Sequence, residues 1–168
     1  YTTHGEYPDR YVNIIVYPHS GSVDSYKLIR DLKLKNINRL IIRHLNINSL
    51  LGKFEPLLKL IQGNFDIFVI TESKLDKSFP SQQFVIDGFS LPYRFDRNAN
   101  GGGVLIYVRE DIPCKQLKAN SCSKSFEGLF LEINLRKTKW LLFGGYNPHK
   151  SNIETFLGEI GLILDKHM

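Results

Sequence analysis

Cysteine is scarce in this 168-residue chain, and long hydrophobic runs are missing. The two cysteines, Cys114 and Cys122, match no zinc spacing and are too few for a disulfide framework, so we expect a reducing, intracellular compartment. No apolar run approaches the length of a membrane span, and residues 1–10 lack the charged-then-apolar layout of a secretory signal. These absences argue against a membrane protein and against a disulfide-stabilised secreted protein.

The residues that are present indicate an ordered, basic protein. Hydrophobic residues make up 42% of the chain, which excludes general disorder, and the length suffices for one domain with a real core. The 22 basic and 17 acidic residues give a formal net charge of +5, which suits a polyanionic partner, although the excess is spread along the chain. We predict a domain over residues 38–168. Residues 1–37 are interpreted as a leader or linker, with a candidate strand at 11–17 and a charged connector at 27–35.

The most readable stretch lies between residues 40 and 74. Two apolar strands, residues 40–49 and 66–74, flank a segment whose apolar residues fall at helical spacing between Lys53 and Ile61. Pro56 lies in the first turn of that helix, where its missing N–H costs nothing. The order strand, helix, strand predicts a parallel pair, because a crossover connection returns the chain in the same direction.

Polar residues follow both predicted strands. Asn46 and Asn48 lie at the end of the first strand, and Glu72 and Lys74 lie at the end of the second. Open α/β sheets bind ligands outside the carboxyl ends of their strands, so we expect an amide, a carboxylate and an ammonium to meet there. Each residue also has a plainer interpretation, since strand-end asparagines commonly form turns and a glutamate after a strand is usually solvated.

Strands outnumber helices in the second half of the chain. The predicted strands are residues 84–86, 93–95, 104–108, 128–135 and 139–146, the last two forming an antiparallel hairpin. Residues 101–103 are three glycines, and we prefer a hairpin loop there to a phosphate-binding loop because the sequence has no Gly-Lys-Ser/Thr. A helix is predicted to open at Ser151, with Glu154 completing a capping box. The predicted class is therefore α/β with a mixed sheet.

Four sequence blocks are weak singly and specific in their order. They are Leu45–Leu50, Asp66–Leu75, Gly101–Val108 and Tyr146–Pro148. Together they resemble the endonuclease/exonuclease/phosphatase superfamily, and within it the apurinic-like endonuclease domain of non-LTR retrotransposons, over residues 38–168. The resemblance implies a DNase I-like, four-layered α/β sandwich with mixed β-sheets. It also implies metal-dependent hydrolysis of a phosphodiester, here the nicking of DNA.

The resemblance assigns catalytic roles to three residues. Glu72 matches the glutamate that holds the divalent ion, Asn46 matches the strand-end asparagine that contacts the phosphate, and Tyr146 matches the tyrosine that faces the scissile phosphate. Mg²⁺, or Mn²⁺ in its place, is the implied cofactor, and no small-molecule cofactor is implied. One glutamate is compatible with Mg²⁺, because this ion takes hard oxygen ligands and keeps several of its waters.

Four further residues are expected to bind substrate. Asn48 stands where relatives often carry an aspartate, and His149 stands where some relatives carry a second polar contact. Lys74 is also placed to orient Glu72 as an outer partner, and Arg97 supplies positive charge. The implied partners are DNA and, in a full-length polyprotein, a reverse transcriptase module, which implies the nucleus.

Two motifs of the family are missing from this sequence. It contains no Gly-Asp-x-Asn strand and no C-terminal Asp-His pair, and Asp165 is the only aspartate after position 111. We therefore expect the N-terminal portion of a domain truncated at its C-terminus, lacking a general base and inactive as given. A missing second sheet would leave apolar faces uncovered and favour association. Arg43 is a further departure, since a charge in the middle of a central strand is unfavourable.

Two alternatives stay open. A phosphatase of the same fold would keep the architecture and change the substrate. A degenerate, non-catalytic fragment would bind nucleic acid weakly and in a salt-sensitive way through basic side chains. Those side chains are Arg94, Arg97, Lys115, Lys118, Arg136, Lys137 and Lys139.

Overall fold

The computed structural model describes residues 13–14, 23–36, 39–118, 125–135, 138–148 and 152–167. The strands in these ranges are β1 (Asn13–Ile14), β2 (Ile41–Asn46), β3 (Ile67–Thr71), β4 (Tyr93–Phe95), β5 (Val104–Val108), β6 (Cys114–Gln116), β7 (Glu127–Leu135) and β8 (Thr138–Tyr146). The helices are α1 (Val23–Lys35), α2 (Phe54–Ile61) and α3 (Ile153–Asp165), with a 3₁₀ turn at Ser81–Phe84. No helix within the described ranges is long and apolar enough to cross a membrane.

The described strands form two sheets. The first has the order β1-β2-β3-β5-β4, in which β1, β2 and β3 are parallel and β5 is antiparallel to both β3 and β4. The second has the order β6-β7-β8 and is antiparallel throughout. The predicted parallel pair β2/β3, the hairpin β4/β5 and the hairpin β7/β8 are all confirmed.

The two sheets pack face to face with helices outside them. Alternate side chains of each strand point to opposite faces, so one face of each sheet contacts the other sheet and the opposite face contacts helices. On β3, Phe68 and Ile70 pack in the cluster that includes Leu57 of α2, whereas Ile67 and Val69 pack against the second sheet. The outer face of the second sheet carries a third cluster, in which α3 buries one isoleucine. The order of layers is helices α1 and α2, first sheet, second sheet, helix α3. The predicted four-layered α/β sandwich is confirmed, with a mixed first sheet and a second sheet whose described strands are antiparallel.

The expectation of a missing second sheet is wrong for the described residues. Leu129, Leu131 and Ile133 of β7 are buried against the first sheet, so they cover the apolar faces of β3 and β5. Arg43 is accommodated as well, since its guanidinium lies 5.3 Å from the centre of the Phe65 ring. A cation over an aromatic face retains part of its stabilisation when it leaves water.

The prediction of a charged connector at residues 27–35 is wrong, because this segment is part of helix α1. Ile29 is buried in the core, and Lys33 Nζ donates to Asp66 Oδ1 at 2.7 Å. The helix was not predicted because its few apolar residues, which pack on the first sheet, are interspersed with many charged ones. Residues 13–14, the described part of the candidate strand at 11–17, pair with β2. The domain division after residue 37 stays a prediction.

Two local predictions are also wrong. Residues 84–86 are not a strand: Phe84 ends the 3₁₀ turn, and its carbonyl accepts a hydrogen bond from the Tyr107 hydroxyl at 2.9 Å. The alternation of buried Phe84 and Ile86 looked like a strand but has no ladder partner. Helix α3 is capped by Asn152, whose side chain accepts from the Glu154 N–H at 2.8 Å, and Ser151 lies outside the described residues.

Candidate active site

The chain segments that leave β2 and β3 run side by side at one edge of the first sheet. The Ile47 N–H donates to the Thr71 carbonyl at 3.1 Å, and the Ser49 N–H donates to the Glu72 carbonyl at 2.8 Å. Within the described ranges, four non-glycine residues have a positive φ, and all four lie in these two segments. They are Asn48 (48°), Ser49 (80°), Glu72 (57°) and Lys74 (54°). Such a conformation costs about 1–2 kcal/mol per residue. Strain concentrated in one place is a common feature of functional sites.

The loop between β4 and β5 closes onto Glu72. The Gly102 N–H donates to Glu72 Oε2 at 2.9 Å, and the Gly102 carbonyl accepts from the Lys74 N–H at 2.9 Å. Gly102 has a φ of +79°, which glycine adopts without the penalty of a side chain. The predicted hairpin loop is confirmed, and it also fixes one oxygen of the Glu72 carboxylate.

The second sheet brings a second carboxylate to the same place. Glu127 and Tyr146 are register partners at the end of the β7/β8 ladder. The Tyr146 hydroxyl donates to Glu127 Oε2 at 2.6 Å, and an Arg97 nitrogen lies 3.2 Å from Glu127 Oε1. The Glu127 side chain is only 5% exposed, and these two partners offset part of the free-energy cost of removing a carboxylate from water.

The Tyr146 phenol is strongly biased towards its protonated form. Burial raises its pKa well above the usual range, and the hydrogen bond to Glu127 and the negative charges of Glu127 and Glu72 raise it further. Tyr146 is therefore a hydrogen-bond donor at neutral pH. Glu72 accepts from the Gly102 N–H, and Glu127 Oε2 and the Tyr146 hydroxyl surround the same glycine, so both carboxylates lie close to the phenol.

Gly102 lies at the centre of this group. A Cβ atom on Gly102 would lie 2.5 Å from Arg97 Cδ, 2.7 Å from Glu127 Oε2 and 3.0 Å from the Tyr146 hydroxyl. The structure thus brings together three of the residues singled out in the sequence, Glu72, Tyr146 and Arg97, around a single glycine.

The other sequence candidates lie at the same edge or outside the described ranges. Asn46 is exposed and pairs in register with Thr71, the residue before Glu72. Asn48 is exposed just beyond β2, and Lys74 is half-buried beyond β3. His149 lies outside the described residues. Their substrate contacts stay predictions.

Glu127 was missed by the sequence analysis. The predicted strand began at Gly128, which left Glu127 in a loop. Extending the strand by one residue puts Glu127 on the face of Leu129 and Leu131, and an inward-pointing glutamate among apolar residues is a signal of a built site.

Of the basic residues proposed for weak nucleic-acid binding, one is engaged inside the fold and two form ion pairs at the surface. The prediction that Arg94 binds nucleic acid is wrong. Its guanidinium donates to the Phe79 carbonyl at 2.7 Å and pairs with Asp96 at 2.8 Å, and only 10% of its side chain is exposed. Lys115 and Lys139 both pair with Glu132 on the outer face of the second sheet. Arg136 and Lys137 lie outside the described residues.

Glu72 offers the hard oxygen ligands that Mg²⁺ prefers, and the Mg²⁺ site stays a prediction. The described ranges contain no group of three or more His, Cys, Asp or Glu side chains arranged to hold a metal. Glu72 supplies one carboxylate, and Mg²⁺ is commonly bound in proteins by one or two carboxylates with waters and substrate phosphates completing its shell. A zinc-type site with three or four protein ligands does not fit these residues.

Comparisons with known proteins give a structural likeness. No protein-family model and no curated protein matches this sequence. A solved structure, the endonuclease domain of TRAS1, a telomere-specific non-LTR retrotransposon, is similar with a TM-score of 0.53 and 16% sequence identity. The similarity covers 76% of this chain and 53% of that chain, so this chain spans about half the length of that structure. The likeness shows the fold, which is DNase I-like as predicted.

Proposed function

We propose that this chain carries the metal-holding half of a DNA-nicking phosphodiesterase centre of the retrotransposon endonuclease type. The observation that carries the proposal is the convergence of Glu72, Glu127, Tyr146 and Arg97 around Gly102. It occurs at the carboxyl ends of parallel strands, where α/β sheets bind ligands. The fold shared with a retrotransposon endonuclease domain supports the same class of reaction.

In this proposal Glu72 would hold the Mg²⁺ or Mn²⁺, with water and phosphate oxygens completing its shell. When bound, the ion supplies charge stabilisation at the phosphate and lowers the pKa of coordinated water. The chain's own donors complement that role: Tyr146 keeps its proton at neutral pH, and Arg97 presents a guanidinium, a group suited to phosphate oxygens. Asn46 and Asn48 add amide N–H donors at the rim, and Lys74 adds a positive charge.

We expect the chain by itself to bind DNA and the cation without measurable turnover. The Gly-Asp-x-Asn and Asp-His motifs that complete the family's centre are absent from these 168 residues. A centre that binds phosphate and metal without a general base retains affinity and loses the proton transfer that general bases contribute, commonly about 10²–10⁴-fold in rate.

Mn²⁺ binding followed by electron paramagnetic resonance tests the proposal directly. Glu72→Gln is expected to weaken Mn²⁺ binding about 10-fold or more, because it removes the carboxylate that anchors the ion. Glu55→Gln is the matched control. It removes the same charge from an exposed residue in the first turn of α2, away from the candidate site. Equal Mn²⁺ affinity of the two variants would refute the proposed centre.

A plasmid-nicking assay with Mg²⁺ tests the expected lack of turnover. We expect supercoiled plasmid to stay intact with the wild-type chain. Nicking that disappears in Glu72→Gln would contradict the expected inactivity while supporting the proposed reaction class. A fall in duplex affinity with rising salt, in the wild type and Glu72→Gln alike, would indicate phosphate contacts apart from the metal.

A further inference from the structure

Glu127 is a charged residue buried between the two sheets, beside the hydrophobic core. Its side chain is 5% exposed, and its neighbours on the same face of β7 are the apolar residues Leu129, Leu131 and Ile133. A carboxylate in such a place costs free energy unless it is paired. If the role of this position were only structural, an apolar residue would be buried there at a lower cost in free energy.

The two partners of Glu127 come from different elements. Tyr146 ends β8, and Arg97 lies in the loop between β4 and β5. One oxygen of Glu127 accepts from the Tyr146 hydroxyl at 2.6 Å, and the other lies 3.2 Å from the Arg97 guanidinium. A single carboxylate therefore sets the orientation of a phenol and a guanidinium relative to each other.

From this geometry we infer that Glu127 is a positioning residue, which holds Tyr146 and Arg97 together as a phosphate-binding pair beside Glu72. The inference rests on the proposed function, because it takes DNA phosphate as the ligand. Both side chains close on the Gly102 backbone, whose N–H fixes the Glu72 carboxylate. The pair and Glu72 are thereby kept in one arrangement before any ligand arrives, which lowers the entropic cost of binding.

The alternative is an internal ion pair that only ties the β4/β5 loop to the second sheet. Charge alone separates the two ideas. Removing a negative charge near bound DNA strengthens binding by simple electrostatics, whereas removing a positioning residue weakens it. The sign of the change in DNA affinity is therefore informative.

Strand β7 provides a charge-matched control. Glu132 lies on the opposite, outer face and pairs with Lys115 at 3.1 Å and with Lys139 at 3.7 Å. Glu132→Gln makes the same charge change as Glu127→Gln in the same strand, and it releases two lysines instead of disturbing Tyr146.

The experiment compares the affinities of these variants for a short DNA duplex, measured by fluorescence anisotropy in the presence of EDTA, where no turnover occurs. Glu127→Gln is expected to weaken binding at least about threefold, as for the loss of one charge-assisted hydrogen bond. Glu132→Gln is expected to bind as tightly as the wild type or more tightly. On an Arg97→Gln background, the loss caused by Glu127→Gln should shrink. Urea unfolding of each variant shows that the compared proteins are folded.

A second readout is independent of DNA. With 3-fluorotyrosine incorporated, the fluorine resonance of Tyr146 is assigned by its disappearance in Tyr146→Phe. That resonance is expected to shift in Glu127→Gln and to stay in place in Glu132→Gln.

The outcomes are distinct. Equal duplex affinities for the two glutamine variants, or an unmoved Tyr146 resonance, would overturn the positioning role even if Glu72→Gln abolishes Mn²⁺ binding as proposed. A wild-type chain that binds no duplex at all would overturn the proposed function and this inference together.

Discussion

Replacing Gly102 with alanine tests the centre at the point where its parts meet. The backbone of Gly102 bonds Glu72 Oε2 through its N–H and the Lys74 N–H through its carbonyl. An added methyl group would conflict with this geometry in two separable ways: φ is +79°, and side chains of the second sheet and of the β4/β5 loop occupy the space.

The two costs can be worked out separately. A side chain in the left-handed region costs about 1–2 kcal/mol. The methyl would also lie 2.7 Å from Glu127 Oε2 and 2.5 Å from Arg97 Cδ, and overpacking of this kind typically costs about 1–3 kcal/mol. The expected loss of unfolding free energy is thus about 2–5 kcal/mol.

Two other glycines isolate these costs. Gly52 has a φ of +73° but no atom within 4 Å of an added Cβ, so Gly52→Ala should cost only about 1–2 kcal/mol. Gly101 has neither constraint, and Gly101→Ala should change stability by less than about 0.5 kcal/mol.

Urea unfolding monitored by circular dichroism gives the three free energies, with shared m-values as a check on two-state behaviour. Gly102→Ala should also lose Mn²⁺ affinity, because the methyl displaces the groups around Glu72, whereas Gly52→Ala should keep it. If Gly102→Ala and Gly52→Ala were equally destabilised, the space around Gly102 would be open and the packed arrangement of Glu127 and Tyr146 would be refuted.

Two further predictions concern residues outside the centre. Arg94→Ala should destabilise the fold by about 3–5 kcal/mol in urea unfolding, because it leaves the nearly buried Asp96 without its partner, and should leave the DNA affinity of the folded protein unchanged; a loss of affinity without a loss of stability would contradict this. Partial desolvation lowers the pKa of His44 below its ordinary value, so the unfolded state binds the proton more readily and stability should fall as the pH drops below about 6.5; the fall should be small because His44 is an exposed residue of β2. His44→Gln should flatten that part of the pH profile of unfolding, and an unchanged slope would refute the assignment.

The elements that the sequence predicts well are those whose pattern is local. Strands β2 and β3 are short apolar runs, helix α2 has apolar residues at helical spacing, and Pro56 marks the first turn of the helix, so their order and parallel pairing follow from spacing alone. The same logic places Glu72 at a strand end. Helix α1 was missed because its buried Ile29 is surrounded by charges, one of which, Lys33, bonds a carboxylate that is distant in sequence.

Glu127 escaped prediction for a different reason. Its importance depends on Arg97 and Tyr146, which are respectively 30 positions before and 19 positions after it in the printed sequence. No local spacing connects these three residues, and only the β7/β8 register and the approach of the β4/β5 loop bring them together. Arg94 shows the converse, since a basic residue three positions before Arg97 turns inward and leaves the candidate site to its neighbour.

The packing between the sheets is itself part of the centre. Glu72 belongs to the first sheet, whereas Glu127 and Tyr146 belong to the second, so the distance between the carboxylates depends on how closely the sheets approach. Gly144, two residues before Tyr146, permits that approach: a Cβ there would lie 2.7 Å from Ile106 Cδ1 and 3.0 Å from Val69 Cγ1. Since close-packed interiors yield little to extra volume, the glycine sets the spacing of the layers, and that spacing brings the phenol of one sheet within reach of the carboxylate of the other. The hydrophobic core and the polar centre are therefore two consequences of the same sheet-to-sheet contact.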